Sequence, residues 1–434
     1  MPPWQAVAGM LALTFFPTRP DLAGKSHATW ESVAVWYGGL TAGRRQASPE
    51  IKQKVAELTA NAKTTQDKIA ALAAFVQREI RYVAIEIGIG GFQPHPAQDV
   101  FTNRYGDCKD KVTLLSTMLH EVGIDSYYLL VHATRGVVAR DSPSMTNYNH
   151  VILAIKLPAD VSTANLCSLY AHKQLGHLLM FDPTHPLVPL GYLPPTLQEN
   201  FGLLVTEGGG ELVELPLSSP NVNRLLRSAK LELTPAGALS GDVTEIRWGV
   251  PALNTRAHLL DVPSDQRTKA LENFLGSFLG SLVFQGAQIE NLEQTDKTRV
   301  LHYRFLAKDY AKAAGNLLLI RPRVLGQKGS DLLEAKERKQ PVEFPSASLE
   351  TDIYEITLPS GYAVDELPPP ANEDSSFADY RSKVEVVGNV LKYSRNYTIK
   401  DVIVPTSHLE EMKKFFRQVA ADERNSAVLK RTNP

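Results

Sequence analysis

A cysteine occupies the position at which a helix is predicted to begin. In the stretch RYGDCKDKVTLL, residues 104–115, Gly106 ends a loop and apolar side chains then recur at helical spacing. Cys108 therefore lies near the N-terminus of a helix that packs on a core. The free amides and the dipole of a helix start, together with Lys109 and Lys111, favour a thiolate there. The pattern indicates a nucleophile, although a semi-buried structural cysteine also fits these residues.

Composition argues against several classes of function. The 434 residues include 46 basic and 47 acidic side chains, a formal charge of −1, so no electrostatic field favours binding of nucleic acid. No apolar run is long enough to cross a bilayer, and no integral membrane segment is expected. The two cysteines, Cys108 and Cys167, exclude a disulfide framework but leave one bridge between them open.

The chain is predicted to have three parts. Residues 1–24 are interpreted as the remnant of an upstream β-rich region. Their apolar segment, residues 5–16, is read as a strand; a targeting signal is the alternative, but no Lys or Arg precedes it. Residues 25–215 place helices before strands, as in an α+β domain. Residues 222–434 predict a β-rich, sandwich-like accessory domain that ends in a helix, and the strand pattern leaves open whether this part divides into two units near residue 340.

Local patterns predict the elements of the α+β core. Helices are expected from about residue 26, from Ser48 and from Thr64 or Thr65, and a short strand is expected over residues 82–87. Further strands are predicted at residues 126–133, 148–156 and 178–182. The helix that begins at Cys108 is expected to bury the stripe Val112, Leu115, Leu119 and Val122.

Near the C-terminus, Ser407 and Glu410 have the spacing of a capping box. They predict how the last helix begins.

A cysteine nucleophile needs a base and a group that orients the base. His150 lies in the predicted strand 148–156, and Asp182 ends the following predicted strand, where Pro183 stops the ladder. If these two strands are adjacent and antiparallel, the two side chains lie next to each other. Cys108, His150 and Asp182 are therefore predicted to form a catalytic triad. Taken singly, His150 also fits an ordinary strand histidine, and Asp182 also fits a strand-ending turn.

A metal site is the competing interpretation of the nearby histidines. His172, His177 and His185 lie close to Asp182 in sequence. The offset between the first two does not place them on one helix face, and no His-Glu-x-x-His motif is present. We therefore expect no metal and no cofactor.

Motifs spread over residues 30–205 resemble the transglutaminase-like superfamily of papain-type cysteine enzymes, most closely the bacterial branch whose core is joined to β-rich domains of unknown function. Segments 354–362 and 391–397 are similar to the accessory region of that branch. The core motifs are RYVAIEIG (81–88), GFQPH (91–95), YGDCKDK (105–111), NHV (149–151) and FDPT (181–184).

This resemblance implies acyl transfer, with Cys108 as nucleophile, His150 as base and Asp182 as orienting acid. The oxyanion is expected to bind the backbone amide of Cys108 and a second donor, for which Gln93 is the candidate. The substrate is expected to be a peptide, a protein or a small amide, with hydrolysis and transamidation both open. A non-catalytic fold used for binding or scaffolding is the alternative. The family setting implies an extracytoplasmic bacterial protein, periplasmic or at the cell surface, although this chain shows no recognisable signal peptide.

Overall fold

The computed structural model describes residues 28–164, 166–276, 279–328 and 338–432. The described chain divides into two compact units between Ser218 and Ser219. The predicted remnant at residues 1–24, with its strand at 5–16, lies outside the described residues. Within the described ranges no helix is both long and apolar enough to cross a bilayer.

The first unit begins with helices whose starts are set by local capping. Thr29, Ser48, Thr64 and Asp107 each accept a hydrogen bond from an amide in the first turn of the helix that follows, which satisfies a donor that has no partner inside the helix. The helices of this unit are α1 (Trp30–Thr41), α2 (Pro49–Thr59), α3 (Thr65–Glu79), α4 (Ala97–Asn103) and α5 (Cys108–His120).

The strand predicted over residues 82–87 is wrong beyond Tyr82. Strand β1 (Arg81–Tyr82) pairs in parallel with β2 (Tyr105–Gly106), and residues 83–87 have no regular secondary structure. β1 ends at Tyr82 because its partner β2 has only two residues before α5 begins. Residues 83–87 therefore have no strand to pair with. This short pairing brings the end of β1 next to the start of α5.

An antiparallel six-stranded sheet completes the first unit. Its order is β5-β6-β4-β3-β7-β8, so the strands that contain or precede His150 and Asp182 are neighbours, as the sequence predicts. The strands are β3 (Ser126–Val131), β4 (His150–Lys156), β5 (Leu169–His172), β6 (Gly176–Phe181), β7 (Phe201–Thr206) and β8 (Gly209–Glu214).

Helix α5 lies in the middle of the first unit's core. Val112, Leu115 and Leu119 have no exposed surface, which confirms the predicted stripe at these positions, and they belong to the same apolar cluster as Leu130 and Leu153 of the sheet. The opposite side of the helix is buried as well, including the polar residues Lys109, Asp110 and Lys111 of its first turn. The start of this helix is therefore surrounded by protein.

The second unit contains two main sheets. An eight-stranded sheet has the order β11-β12-β10-β9-β16-β20-β19-β18, and a four-stranded sheet has the order β13-β14-β22-β17. Side chains of both sheets belong to one apolar cluster, as in a sandwich. The elements are β9 (Arg224–Leu233), β10 (Leu239–Arg247), α6 (Gly249–Leu260), α7 (Arg267–Gly276), β11 (Leu282–Glu290), β12 (Arg299–Ala307), β13 (Lys312–Ala314), β14 (Leu317–Ile320), β15 (Val342–Glu343), β16 (Ser348–Thr357), β17 (Tyr362–Glu366), β18 (Ala371–Asp374), β19 (Ala378–Val387), β20 (Val390–Ile399), β21 (Ile403–Val404), α8 (Leu409–Asp422) and β22 (Ala427–Arg431).

Strand β9 pairs in parallel with β16. One sheet thus joins the residues on either side of position 340, and the alternative of two separate units meeting there does not describe this structure.

Two predictions about the C-terminal region are wrong: the capping box of the last helix, and the helix as the final element. Ser407 lies in a 3₁₀ turn, and His408, the residue before α8, makes no side-chain capping bond. The capping box of Ser407 with Glu410 therefore does not form. Glu411 instead accepts hydrogen bonds from Ser376. The helix is also followed by strand β22, which is one of the two inner strands of the four-stranded sheet.

Candidate active site

Cys108 is the first residue of helix α5. Asp107 precedes it as the N-cap and accepts from the amide of Asp110, while Asp110 accepts from the amide of Asp107. Gly106 makes this capping box possible, because a Cβ atom there would lie 2.5 Å from the Cβ of Asp110. The local sequence Gly-Asp-Cys-x-Asp thus places the thiol at the helix start, as predicted.

The cations next to Cys108 have partners of their own. The buried ammonium of Lys109 pairs with Asp107. The ammonium of Lys111 donates to the carbonyl groups of Gln77 (3.2 Å) and Ile80 (2.7 Å) at the end of α3. Burial lowers the pKa of Lys111 to about 8, against a raising effect from Asp182. The positive field expected from two free lysines is therefore reduced by this pairing and burial.

The sheet brings His150 and Asp182 into direct contact. Nε2 of His150 lies 2.9 Å from Oδ2 of Asp182, because β4 and β6 are antiparallel neighbours with Leu153 opposite Phe181. The other carboxylate oxygen of Asp182 accepts from the amide (2.9 Å) and hydroxyl (2.6 Å) of Thr184. Every oxygen of this buried carboxylate thus has a partner that fixes its orientation.

Electrostatics at this pair favour the charged forms. Burial opposes ionisation of Asp182, but the hydrogen bonds from His150 and Thr184 outweigh it and lower the pKa of the carboxyl. Burial likewise opposes protonation of His150, but Asp182 and Cys108 raise the pKa of the imidazole to about 10. An imidazole that contacts a thiol and is held by a carboxylate can accept the thiol proton and stay protonated.

Two ionisable side chains lie close enough to the Cys108 sulfur for it to raise their pKa values. One is the imidazole of His150 and the other is the phenol of Tyr82. Nε2 of His150 faces Asp182. Cys108 itself is 5% exposed, so the thiol lies just beneath the surface.

Tyr82 is the residue that sequence reasoning missed. Partial burial and the neighbouring Cys108 and Asp107 raise the pKa of its phenol well above the usual value. The residue lies opposite Gly106 in the β1–β2 pairing, which carries it to the start of α5. A tyrosine at the end of a predicted strand carries no local signal for such a role, since only the pairing of two short strands places it there.

Gln93 has a different partner from the one proposed for it. Its side-chain nitrogen donates to the carbonyl of Leu40 at 3.2 Å, so a role of Gln93 at the oxyanion stays a prediction. In the same segment, His95 donates its amide to Asp110 (2.8 Å), and its ring contacts the same carboxylate. His95 of the GFQPH motif therefore stabilises the capping box of Asp107 and Asp110, which lie on either side of Cys108 in the sequence.

The remaining candidates are the histidines considered for a metal site and the possible disulfide. His172 pairs with Glu211, and burial lowers the pKa of His185. Within the described ranges, no group of three or more His, Cys, Asp or Glu side chains is arranged to hold a metal ion. Cys108 and Cys167 are both free thiols, so the disulfide left open by counting does not form.

Two family models match parts of the chain. The family model described as the transglutaminase-like superfamily matches residues 52–160. A second model, a domain of unknown function with a solved structure (DUF3858), matches residues 316–429. No curated protein matches the chain significantly.

Among solved structures, the chain is similar to a "putative protease" from Parabacteroides distasonis, with a TM-score of 0.53 and 11% identity. The match covers 93% of this chain and 59% of that one, so the chain spans less than two thirds of that protein's length. At this level of identity, the likeness concerns the fold. The predicted α+β core followed by a β-rich region is confirmed, and residues 52–160 match the transglutaminase-like superfamily.

Proposed function

We propose that the protein is a cysteine-dependent amide hydrolase or acyltransferase in which Cys108, His150 and Asp182 act as a catalytic triad. The observation that carries this proposal is the position of His150, which hydrogen bonds to the buried carboxylate of Asp182 and lies near enough to Cys108 for the sulfur to raise the pKa of the imidazole. The superfamily match over residues 52–160 and the fold of the structural relative support it further.

In this mechanism Cys108 and His150 rest as a thiolate and an imidazolium, with the proton of the thiol held by Nδ1 of His150. The thiolate attacks the carbonyl carbon of an amide, a carbon–sulfur bond forms, and the π electrons move to the oxygen. The oxyanion is stabilised by the backbone amide of Cys108 at the helix start, where the dipole favours negative charge. The protonated imidazole then gives its proton to the leaving nitrogen as the carbon–nitrogen bond breaks, which leaves a thioester.

The thioester is released by a second nucleophile. Water yields a carboxylic acid and makes the protein a hydrolase; a primary amine yields a new amide and makes it a transferase. In either case His150 accepts a proton from the incoming nucleophile and returns it to the sulfur. Asp182 keeps the ring oriented and stabilises its protonated form throughout.

Selective alkylation is the first test. Native protein is treated with iodoacetamide at about pH 7, and labelled positions are found by mass spectrometry. Cys167 is an internal control, because burial raises the pKa of its thiol. We expect Cys108 to react faster than Cys167 in the wild type, and the advantage to shrink in His150→Ala. Equal reaction of both thiols, or an unreactive Cys108, would contradict the proposal.

Turnover is measured with casein, as peptide release and as incorporation of a fluorescent primary amine. Both signals are compared with Cys108→Ala. Peptide release that depends on Cys108 identifies a hydrolase, and amine incorporation identifies a transferase.

A binding or scaffolding role is the second candidate. It is favoured by the 5% exposure of Cys108, which leaves little of the thiol open to a substrate. An alkylation rate that does not depend on His150 would favour this role over catalysis.

A further inference from the structure

The segment that follows Tyr82 exposes an unusual run of large apolar side chains. Five of them lie within eight residues: Tyr82 (49% exposed), Val83 (37%), Ile85 (49%), Ile87 (83%) and Ile89 (56%). Exposed apolar clusters of this kind commonly mark interaction sites in proteins. We call residues 82–89 the apolar segment.

The apolar segment begins at the nucleophile. Tyr82 lies opposite Gly106, two residues before Cys108, in the β1–β2 pairing, and the amide of Val83 donates to the carbonyl of Gly106 at 3.0 Å. A polypeptide bound along residues 83–89 would therefore continue directly to the thiol of Cys108. This continuity points to the substrate, rather than to an unrelated partner, as the occupant of the segment.

The backbone of the apolar segment has free hydrogen-bonding groups. Among the described residues, the amides of Ala84, Ile85 and Glu86 have no hydrogen-bond acceptor. Unpaired backbone in an exposed segment can pair with an extended peptide, in the manner of an added strand. Small amides offer too few groups to use both the backbone and the apolar side chains.

A small surface cavity adjoins the segment. Its volume is about 90 Å³, and it is lined by both apolar and polar residues: Val83, Ile85, Val100, Tyr105 and Gly106, together with His95, Asp99, Asn103 and Asp110. A space of this size suits one aliphatic side chain. Glu86 is the single charged residue among residues 82–89, so the segment favours an apolar occupant over a charged one.

We propose that the apolar segment binds an extended polypeptide stretch that carries aliphatic side chains next to the amide attacked by Cys108. This inference rests on the proposed function, because it assigns the substrate class of the same site. It narrows that class from amides in general to polypeptides with an apolar sequence beside the scissile bond.

The test compares three electrophiles that alkylate thiols. Iodoacetamide has no peptide part; acetyl-Leu-Val-Ala chloromethyl ketone presents aliphatic side chains, and acetyl-Asn-Ser-Ala chloromethyl ketone presents polar ones. With each ketone the Cys108 sulfur bonds to the methylene carbon and chloride leaves with the electron pair. The readout is the rate of Cys108 modification by each ketone divided by the rate with iodoacetamide.

In the wild type we expect the aliphatic ketone to exceed the polar ketone by about tenfold or more, since one or two aliphatic contacts discriminate by this order. In Ile85→Ser/Ile87→Ser the difference is expected to shrink to within about twofold. The matched control is Ile353→Ser/Val387→Ser, which removes two exposed aliphatic side chains of the second unit and is expected to keep the wild-type preference. The single variant Ile87→Ser is measured as well, because Ile87 is 83% exposed and its substitution is not expected to disturb folding. It replaces the double variant if that variant does not fold.

The outcomes separate the inference from the proposed function. If iodoacetamide modifies Cys108 with the expected dependence on His150 but the two ketones react equally fast, the substrate class is wrong and the cysteine mechanism stands. If the aliphatic preference survives in Ile85→Ser/Ile87→Ser, the apolar segment is not its source and the inference is overturned. If no electrophile modifies Cys108, the proposed function fails and the inference fails with it.

Discussion

Nε2 of His150 lies 2.9 Å from Oδ2 of Asp182, and the nearby sulfur of Cys108 raises the pKa of the same imidazole. These residues come from two strands and from a helix start that are far apart in sequence. The carboxylate is itself fixed by two bonds from Thr184. The protonation of His150 therefore depends on Asp182 and, through it, on Thr184. The effect of each residue can be tested by substitution.

Asp182→Asn removes the charge that keeps His150 protonated while leaving a side chain of similar size. We expect Cys108 alkylation near pH 7 to slow by about tenfold or more, since one unit in an imidazole pKa corresponds to a factor of ten. Rates of iodoacetamide labelling provide the measurement. Thr184→Val, which removes only the hydroxyl bond to Asp182, is the graded control and is expected to give a smaller loss. A rate in Asp182→Asn equal to that of the wild type would contradict the role of Asp182 in keeping His150 protonated.

The raised pKa of His150 predicts how stability depends on pH. The folded imidazole keeps its proton up to about pH 10, against an ordinary value of 6.5, so its contribution is fully present below pH 6.5 and is lost as the pH rises through 10. Urea unfolding is measured at several pH values in this window for the wild type and His150→Ala. We expect the wild type to lose free energy of unfolding relative to the variant as the pH increases. A constant difference across the window would mean that His150 titrates alike in the folded and unfolded chains.

Gly106→Ala tests the close approach at the helix start. The added Cβ would lie 2.5 Å from Cβ and 2.9 Å from Oδ2 of Asp110, so the capping box must shift; we expect a loss of about 1–3 kcal/mol in unfolding free energy and slower alkylation of Cys108. Gly39→Ala is the matched control, because that helical glycine has no atom within 4 Å of the new Cβ, and it is expected to be neutral or stabilising by about 0.5–1 kcal/mol. Chemical denaturation measures both. Equal stability of the two variants would show that the approach to Asp110 relaxes without cost.

Tyr82→Phe removes the hydroxyl whose pKa the nearby Cys108 raises, and keeps the ring. If this hydroxyl donates to the thiolate, alkylation near neutral pH is expected to slow by roughly tenfold, the worth of one hydrogen bond to a charged group. Tyr148→Phe is the control, since the Tyr148 hydroxyl is buried with no hydrogen-bond partner in the described structure. Faster alkylation in Tyr82→Phe would instead show that the hydroxyl shields the sulfur from the reagent.

A buried ion-pair network stabilises the second unit. Asp352 has no exposed surface; it accepts from Arg227 at 2.6 Å and pairs with Arg395. Asp352→Asn leaves two buried guanidinium groups short of a counter-charge, and we expect a loss of about 3–5 kcal/mol in unfolding free energy. Asp242→Asn breaks the exposed pair with Arg304 and is expected to cost less than about 1 kcal/mol. Similar losses in the two variants, measured by urea unfolding, would show that burial adds nothing to the network.

Local pattern was sufficient for several features of the site. Gly106, Asp107 and Cys108 predict a capped helix start, because capping depends on neighbouring residues alone. The position of His150 in a strand and of Asp182 at the end of the next strand follows from strand periodicity and from Pro183. Adjacent antiparallel strands then bring the two side chains together, and the structure has that pairing.

Only the tertiary structure decided which charges remain free and which side chains reach the sulfur. Lys109 and Lys111 look like free cations in the sequence, yet one pairs with Asp107 and the other caps the end of α3. Tyr82 reaches Cys108 through the two-residue pairing of β1 with β2, which no periodicity predicts. Spacing along the chain specifies caps and alternating faces because these depend on nearby residues, whereas burial and contact with the sulfur depend on segments that meet only when the whole first unit folds.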